Sequence, residues 1–446
     1  MKKLLLLLLL TACQTAPPPV TPPDPRALAK DVFLWGYPLV VTERTLQTLA
    51  PIAGVNQLFW QQTLANPATR FIVAPNHDTL YCVAVLDLAP EPLVLTVPEV
   101  QGRYHTFQFL SAWTDVFGYV GTRATGGHAG QFAIVAPDWT GTLPAGMQKL
   151  QSPTQQAFIL ARFRAVSEAD VDAVLQIAPQ VTLQPLSKLT GGTPGRKPDP
   201  LAKRIDIPQK TGENGLQFWD ELGDALPKNL PQTAGQQKML ENFRDLGIGP
   251  QKHPSLEIPP SPTRTALEQG LADGLLALEN AGPPLENHNG WLLAPHPGQW
   301  TDDDTLARAL VAHYLWGANV PEEAVYTKTG QSSAGEALDG KTAWQVHFAA
   351  NQLPPVDAFW SVTLYGPDMF FVQNDAGIYS VSGDAPGLTK NADGSLDILV
   401  QQTQPTVLAK NWLPAPAGPF YLMLRMYLPQ KSVLDGTWVY PEIRRQ

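Results

Sequence analysis

Cysteine is almost absent from this sequence: its 446 residues include only Cys13 and Cys82. That excludes a disulfide scaffold and any Cys-x-x-Cys redox or zinc motif. Charge is also sparse, at 16% of residues, and the formal net charge is -9 with no basic run. Neutralising a phosphate backbone needs clustered Lys and Arg, so nucleic acid is excluded as a partner. The leucine run at 4–10 falls far short of the roughly 20 apolar residues a membrane-spanning helix needs. G-x-S-x-G and H-E-x-x-H are missing too, which removes the simplest signatures of α/β-hydrolases and zincins.

Proline, by contrast, is abundant, with 44 residues favouring extended segments and turns over long helices. A chain of 446 residues exceeds what one core usually supports, so two β-rich units joined by helices are expected. The first residues read as a processing signal: Lys2-Lys3, the leucine run, and Leu10-Thr11-Ala12-Cys13, the bacterial lipoprotein cleavage pattern. On this reading Cys13 carries the lipid and residues 14–23 form a proline-rich tether. The protein is then membrane-anchored in the bacterial cell envelope, facing the periplasm or the exterior. Read as an ordinary secretory signal, the same segment leaves Cys13 incidental. Cys82, in a strand-like run, reads as a small core residue.

Asp24-Pro25 marks a helix start, and Leu28, Val32, Trp35 and Leu39 share one face of a helix that Pro38 should kink or end. A second short helix is expected over 56–65. Short β-branched and aromatic runs follow near 70–74, 79–86, 93–97, 103–110, 116–120, 131–136 and 157–164, the signature of a sandwich or barrel. Ser167 should cap a helix over 167–178, with Asp170 in its first turn. Gly, Pro and charge at 190–200 mark a boundary. Helices near 215–224, 233–247, 262–281 and 303–318 come next and are expected to pack on both sheets. Alternating strands return at 344–348, 359–365, 369–373, 378–381, 396–400 and 420–427.

The expected fold is therefore mainly β with helical additions (α+β), two β-sandwich or jelly-roll-like units joined by a helical linker region. Its divisions are a signal at 1–13, a tether at 14–23 and an N-terminal β-rich domain with leading helices at 24–190. A linker and helical region at 191–320 and a C-terminal β-sandwich at 321–446 complete it.

The polar cluster Asn76-His77-Asp78-Thr79, set between apolar runs, is the first candidate site. An Asx-type turn explains it structurally. Functionally, Asp78 would orient an imidazole or receive Arg103 or Arg123 in an apolar pocket. Alternation along 103–110 puts Arg103 and His105 on one face with Phe107 and Phe109, and turns Tyr104 to the other. Were there catalysis, Asp78 and His105 would be the acid/base candidates and Arg103 or Arg123 would stabilise an anion. Arg123, bracketed by glycines, suits clamping a carboxylate or phosphate, and equally capping exposed carbonyls.

His77, His105 and His128 form the only trio close enough in the first sheet to imagine a metal with Asp78. Core histidines with satisfied hydrogen bonds are the plainer reading, and neither metal nor cofactor is assigned. Residues 335–342 match G-x-x-x-x-G-K-T letter for letter. The lead-in is polar and the sequel alternates like a strand, so the backbone cradle for phosphates is missing and a turn is expected. Arg425 with Tyr427 invites a sugar-binding reading beside one of sheet and domain contacts.

Several motifs carry a resemblance. Pro75-Asn76-His77-Asp78-Thr79-Leu80-Tyr81, Gly102-Arg103-Tyr104 and Gly121-Thr122-Arg123 stand in the first half. Phe359-Trp360-Ser361-Val362-Thr363-Leu364-Tyr365, Asn411-Trp412-Leu413-Pro414 and Leu424-Arg425-Met426-Tyr427 stand in the second. Through these the chain resembles a bacterial tandem family, domain of unknown function 1254 followed by domain of unknown function 1214, here in lipoprotein form. The resemblance implies two β-sandwich-type units with helical additions and brings no established activity. It favours Asn76, Asp78, Tyr81, Arg103 and Arg123 over His77 as ligand-binding residues.

Two functions stand at this point. One is a lipid-anchored envelope protein with a polar pocket in its first β unit that binds or hydrolyses a small or amphipathic ligand. The other is a non-catalytic binding or scaffold protein, its polar residues structural and its sandwiches serving recognition and homo-oligomer contacts. The sequence does not decide whether the protein is an enzyme.

Overall fold

Asp24 caps the first helix, its carboxylate accepting the Arg26 N–H at 3.3 Å, and Pro25 takes the first helical position, where a missing N–H is harmless. This helix, α1, runs Pro25–Ala53 and does not end at Pro38. An interior proline costs about 3 kcal/mol. Val32, Phe33, Tyr37, Leu39 and Val40 are all fully buried around it, and at about 1.5–3 kcal/mol for each large side chain their packing outweighs that cost. The computed structural model describes residues 24–70, 72–201, 216–231, 233–283, 285–294 and 297–446. Residues 1–23, with the expected signal, Cys13 and the expected tether, lie outside them.

The partners of α1 are the helices Gln217–Ala225, Pro262–Ala281 and Thr305–Tyr314, which share one apolar core with it. These helices pack chiefly on one another, in a core that Ala112 and Trp113 join, where packing on both sheets was expected. The leading helix belongs with them more than with residues 55–185. Close approach is built in: a Cβ at Gly270 would lie 2.4 Å from the Ala29 Cβ, and one at Gly274 would lie 2.2 Å from the Phe33 ring.

The first sandwich comprises β1 (Phe59–Trp60), β2 (Thr79–Asp87), β3 (Leu93–Val97), β4 (His105–Ser111), β5 (Val116–Gly121), β6 (Gly130–Val135), β7 (Gln148–Gln151), β8 (Gln156–Arg164) and β9 (Thr182–Pro185). One sheet has the order β1-β2-β8-β4-β5 and the other β7-β6-β3-β9. Alternation sends Leu80, Cys82, Ala84 and Leu86 of β2, Phe107 and Phe109 of β4, and Ile159, Ala161 and Phe163 of β8 into the core between them.

The second sandwich adds β10 (Glu286–His288), β11 (Trp291–Leu293), β12 (Ala324–Thr329), β13 (Trp344–Phe348) and β14 (Val356–Tyr365). It ends with β15 (Ser380–Ser382), β16 (Leu396–Gln401), β17 (Trp412–Pro414), β18 (Tyr421–Pro429) and β19 (Glu442–Arg445). Its sheets are β10-β11-β12-β18-β14-β15 and β17-β16-β13-β19, with Val346, Val362, Ile398, Leu424 and Met426 between them. The fold is thus two β-rich units with a helical body.

Some local expectations give way to longer-range bonds. No helix forms over 56–65, because Asn56, at φ 61°, exchanges hydrogen bonds with the Asp87 backbone at 2.8 and 3.0 Å and the chain then pairs with β2. The described residues of the run 70–74 form no strand: Ile72 and Val73 are exposed and Ala74 has φ 51°. Residues 369–373 form no strand either, with Met369 at φ 60°. Ser167 makes no capping bond, and the expected helix shortens to a turn at Glu168–Asp170 and Val171–Leu175. Residues 335–342 form a turn bonded through Asp339 that leads into β13 and not into a helix.

The α1 contact yields a prediction. Gly270→Leu should destabilise the protein by about 1–3 kcal/mol, the usual cost of overpacking, while Gly418→Ala, where φ is not positive and no atom lies within 4 Å of a built Cβ, should cost less. Thermal melts of the two variants compare them, and equal losses would mean that the helix pair yields freely.

Candidate functional site

The alternation that buries apolar residues in the first sandwich turns Tyr81, Gln108, Arg162 and Arg164 to the opposite face, in register as Tyr81 beside Arg162 and Thr79 beside Arg164. In the second sandwich Tyr326, Arg425 and Ser361 lie side by side on neighbouring strands, as do Tyr427 and Phe359. These two polar faces meet. The Tyr104 ring lies 5.3 Å from Tyr427 and 5.7 Å from Phe359, Arg164 sits 4.1 Å over the Phe359 ring, and Asn76 donates to the Tyr427 hydroxyl at 2.7 Å.

Most charges in this layer are paired. Arg164 forks onto Asp384, and Arg123 donates to Glu323 at 2.7 Å, whose other oxygen accepts the Tyr104 hydroxyl at 2.9 Å. The Asp78 carboxylate, 2% exposed, accepts from the hydroxyls of Ser361 and Ser380. Two guanidiniums are different. Arg162 donates only to neutral oxygens, Gln108 Oε1 at 2.8 Å, Asn319 Oδ1 at 3.2 Å and Gly317 O at 3.2 Å, and its Nε finds no partner. Arg425 donates to Thr363, Tyr365 and the Ala74 carbonyl. Among the described residues neither has a carboxylate within 4.0 Å, although they are 4% and 3% exposed. Burial raises the hydroxyl pKa of Tyr104, Tyr326 and Tyr427, so these phenols stay protonated.

Asn76, Asp78 and Tyr81 are therefore brought into one layer, and Arg123 reaches it through Glu323. That layer lies between the two sandwiches and not in a pocket of the first. Asp78 receives neither Arg103 nor Arg123. Arg103 precedes β4, escapes its alternation, and forks onto Asp170 at 2.6 and 2.8 Å. His105 lies on the apolar side of its sheet, stacked 5.4 Å from Phe163, and burial lowers its pKa. Asp78 and His105 share no partner, so the expected acid/base pair is not assembled.

At the edge of the layer a groove of about 430 Å³ separates the two units. Its walls include Arg103, Tyr104, Thr122, Arg164, Phe359 and Asp384. Tyr104 belongs to both groove and layer. Each arginine here is held by an aspartate, Arg103 by Asp170 and Arg164 by Asp384; the N–H groups of Arg164 are all engaged, so Arg103, whose Nε makes no hydrogen bond among the described residues, is the oriented donor of the wall.

The family matches fall on the sandwiches: a protein of unknown function (DUF1254) over residues 55–185, which spans the first, and a protein of unknown function (DUF1214) over 323–431, which covers β12 to β18 of the second. The chain belongs to the tandem DUF1254–DUF1214 family. The crystal structure of the VPA0106 protein from Vibrio parahaemolyticus is similar to it, with TM-score 0.72 and 24% identity over 95% of this chain and 100% of that one. This likeness extends the fold to both halves of the DUF1254–DUF1214 chain. A putative uncharacterized protein from Burkholderia cenocepacia aligns at TM-score 0.43 and 15% identity over 93% of this chain and 88% of its own, and adds no argument. No curated protein matches.

In this DUF1254–DUF1214 protein the three imagined metal ligands have separate surroundings. His77 bonds the Ala65 carbonyl, His105 the Arg103 carbonyl and His128 the Glu99 carboxylate. No group of three or more metal-binding side chains gathers among the described residues. Arg162 and Tyr326 were not legible as site residues. Strand alternation alone marks Arg162 as outward, which in most sandwiches means water.

His105 supplies a pH prediction. Its folded pKa is lowered from 6.5 by burial, so the unfolded chain binds its proton more readily and stability falls as pH drops below 6.5. His105→Phe, which keeps a ring against Phe163, should lose less melting temperature over that range than wild type. An equal loss would place the acid sensitivity elsewhere.

Proposed function

We propose that this DUF1254–DUF1214 protein is a lipid-anchored bacterial envelope protein that binds a small polar or amphipathic ligand in the groove between its two sandwiches. The groove carries the reading: it joins both units, and its arginines are oriented by aspartates before any ligand arrives. Phe359 and Tyr104 line the groove beside Arg103, suiting a ligand with both polar and apolar parts. The separate surroundings of Asp78 and His105 favour binding over hydrolysis, because general acid/base work needs both groups within reach of one substrate. The anchor rests on the cleavage pattern ending at Cys13.

Two measurements test this. In cell fractionation the wild type should follow the membrane and Cys13→Ala should be released, with globomycin blocking maturation of the former. Unchanged fractionation of Cys13→Ala would refute the anchor. In a thermal-shift screen of the detergent-solubilised full chain, compounds that stabilise wild type and Arg162→Gln alike should lose their shift in Arg103→Ala, beyond any fall in that variant's own melting temperature. Ligand shifts retained in full by Arg103→Ala would make the Arg103–Asp170 pair structural and favour a scaffold.

A further inference from the structure

We propose that the buried layer itself holds an anion site, centred on Arg162, that takes a single carboxylate group. The inference goes beyond the groove and does not depend on it. Its ground is the charge arrangement between the sheets. Arg164 with Asp384 and Arg123 with Glu323 are complete pairs. Of the remaining buried charges in the layer, the two guanidiniums of Arg162 and Arg425 stand against the one carboxylate of Asp78, which leaves one positive charge uncompensated. A buried charge without a counterion is strongly unfavourable, and the phenols of Tyr104, Tyr326 and Tyr427, being protonated, do not supply one.

The geometry names the class of anion. Arg162 binds Gln108 and Asn319 through Nη1, while its Nε is unpartnered and its Nη2 makes a single 3.2 Å bond to Gly317. The Nε–Nη2 edge is the planar fork that receives a carboxylate through two parallel bonds. Beside it, Tyr81 lies with its ring 5.5 Å from the Arg162 guanidinium, and its hydroxyl makes no hydrogen bond among the described residues. Tyr326 accepts from Asn319 at 2.8 Å and stands 5.8 Å from Arg425. Both Tyr81 and Tyr326 are only half-buried. The open guanidinium edge and the unbonded Tyr81 hydroxyl thus belong to paired residues of one sheet, Asn319 links Arg162 to Tyr326 of the second unit, and one negative charge balances the layer. The carboxylate comes either from a small free acid or from the head of an amphipathic one, whose chain would extend along the seam.

The test uses the detergent-solubilised full chain, melted in increasing sodium formate or sodium hexanoate that replaces sodium chloride at constant ionic strength. Wild type should gain melting temperature saturably. Arg162→Gln should show no gain, and Tyr81→Phe should need at least roughly tenfold more carboxylate for half its gain, the factor expected for one lost hydrogen bond to a charged group. Arg103→Ala should keep the wild-type response, which separates this site from the groove. Equal half-saturation by the two acids assigns a small free carboxylate; tighter hexanoate assigns an amphipathic one. No gain in wild type, or the same gain in Arg162→Gln, overturns the proposal. Should Arg162→Gln not fold, Tyr81→Phe decides it, since its hydroxyl supports no bond in the fold, and an unchanged half-saturation there overturns the proposal as well.

Discussion

Two sheets that turn polar faces toward each other must replace, group by group, the water each face would otherwise hold. An unmet buried donor or acceptor costs about 1–3 kcal/mol, and more when charged. Here the replacement is made chiefly by exchange between the units. Asp78 of the first is held by Ser361 and Ser380 of the second, Arg425 of the second by the Ala74 carbonyl of the first, and Tyr427 by Asn76. The loop before β2 follows from this requirement. It leaves Ile72 and Val73 exposed and takes Ala74 to positive φ, and the bond from the Ala74 N–H to the Met369 carbonyl at 3.0 Å fixes it on the second unit.

Much of the strand framework was legible because period-two alternation is a local property. The runs expected at 79–86, 93–97 and 157–164 became β2, β3 and β8 with nearly the same limits. The face of His105 was readable for the same reason, since Phe107 and Phe109 follow it at every second residue. The destination of the other face was not. An arginine such as Arg162, alternating outward, looks identical whether water or a second sheet awaits it. Asp78 likewise advertises a polar centre without showing that its partner Ser361 stands 283 residues away. Arg103 misled for a different reason: it sits two residues before the strand begins, where alternation no longer governs direction.

Helical expectations erred where tertiary packing overrode propensity. Pro38 is a breaker on local grounds, yet α1 is enclosed by other helices along the stretch that contains it, and the apolar contacts hold the turn that lacks a hydrogen bond. The segment 56–65 went the other way. Its helical pattern yielded to Asn56, whose side chain imitates a strand partner for the Asp87 backbone and commits the chain to the sheet edge. Both outcomes place the helical body beside the first sandwich, where Trp113 closes its core through a bond to the Asn229 carbonyl at 2.7 Å.

The exchange at Asp78 also constrains how such a gene can change. Because the carboxylate depends on two hydroxyls encoded far downstream, an apolar replacement at Asp78 removes the acceptor of Ser361 and Ser380, and loss of either serine leaves one oxygen of a buried carboxylate without its hydroxyl. Substitutions on the two sides are therefore under joint selection. A recombination event that joined one sandwich to a diverged copy of the other would bring together faces that had drifted separately. The tandem arrangement is in this sense a single heritable unit, and the boundary between its halves is an unfavourable place for a crossover.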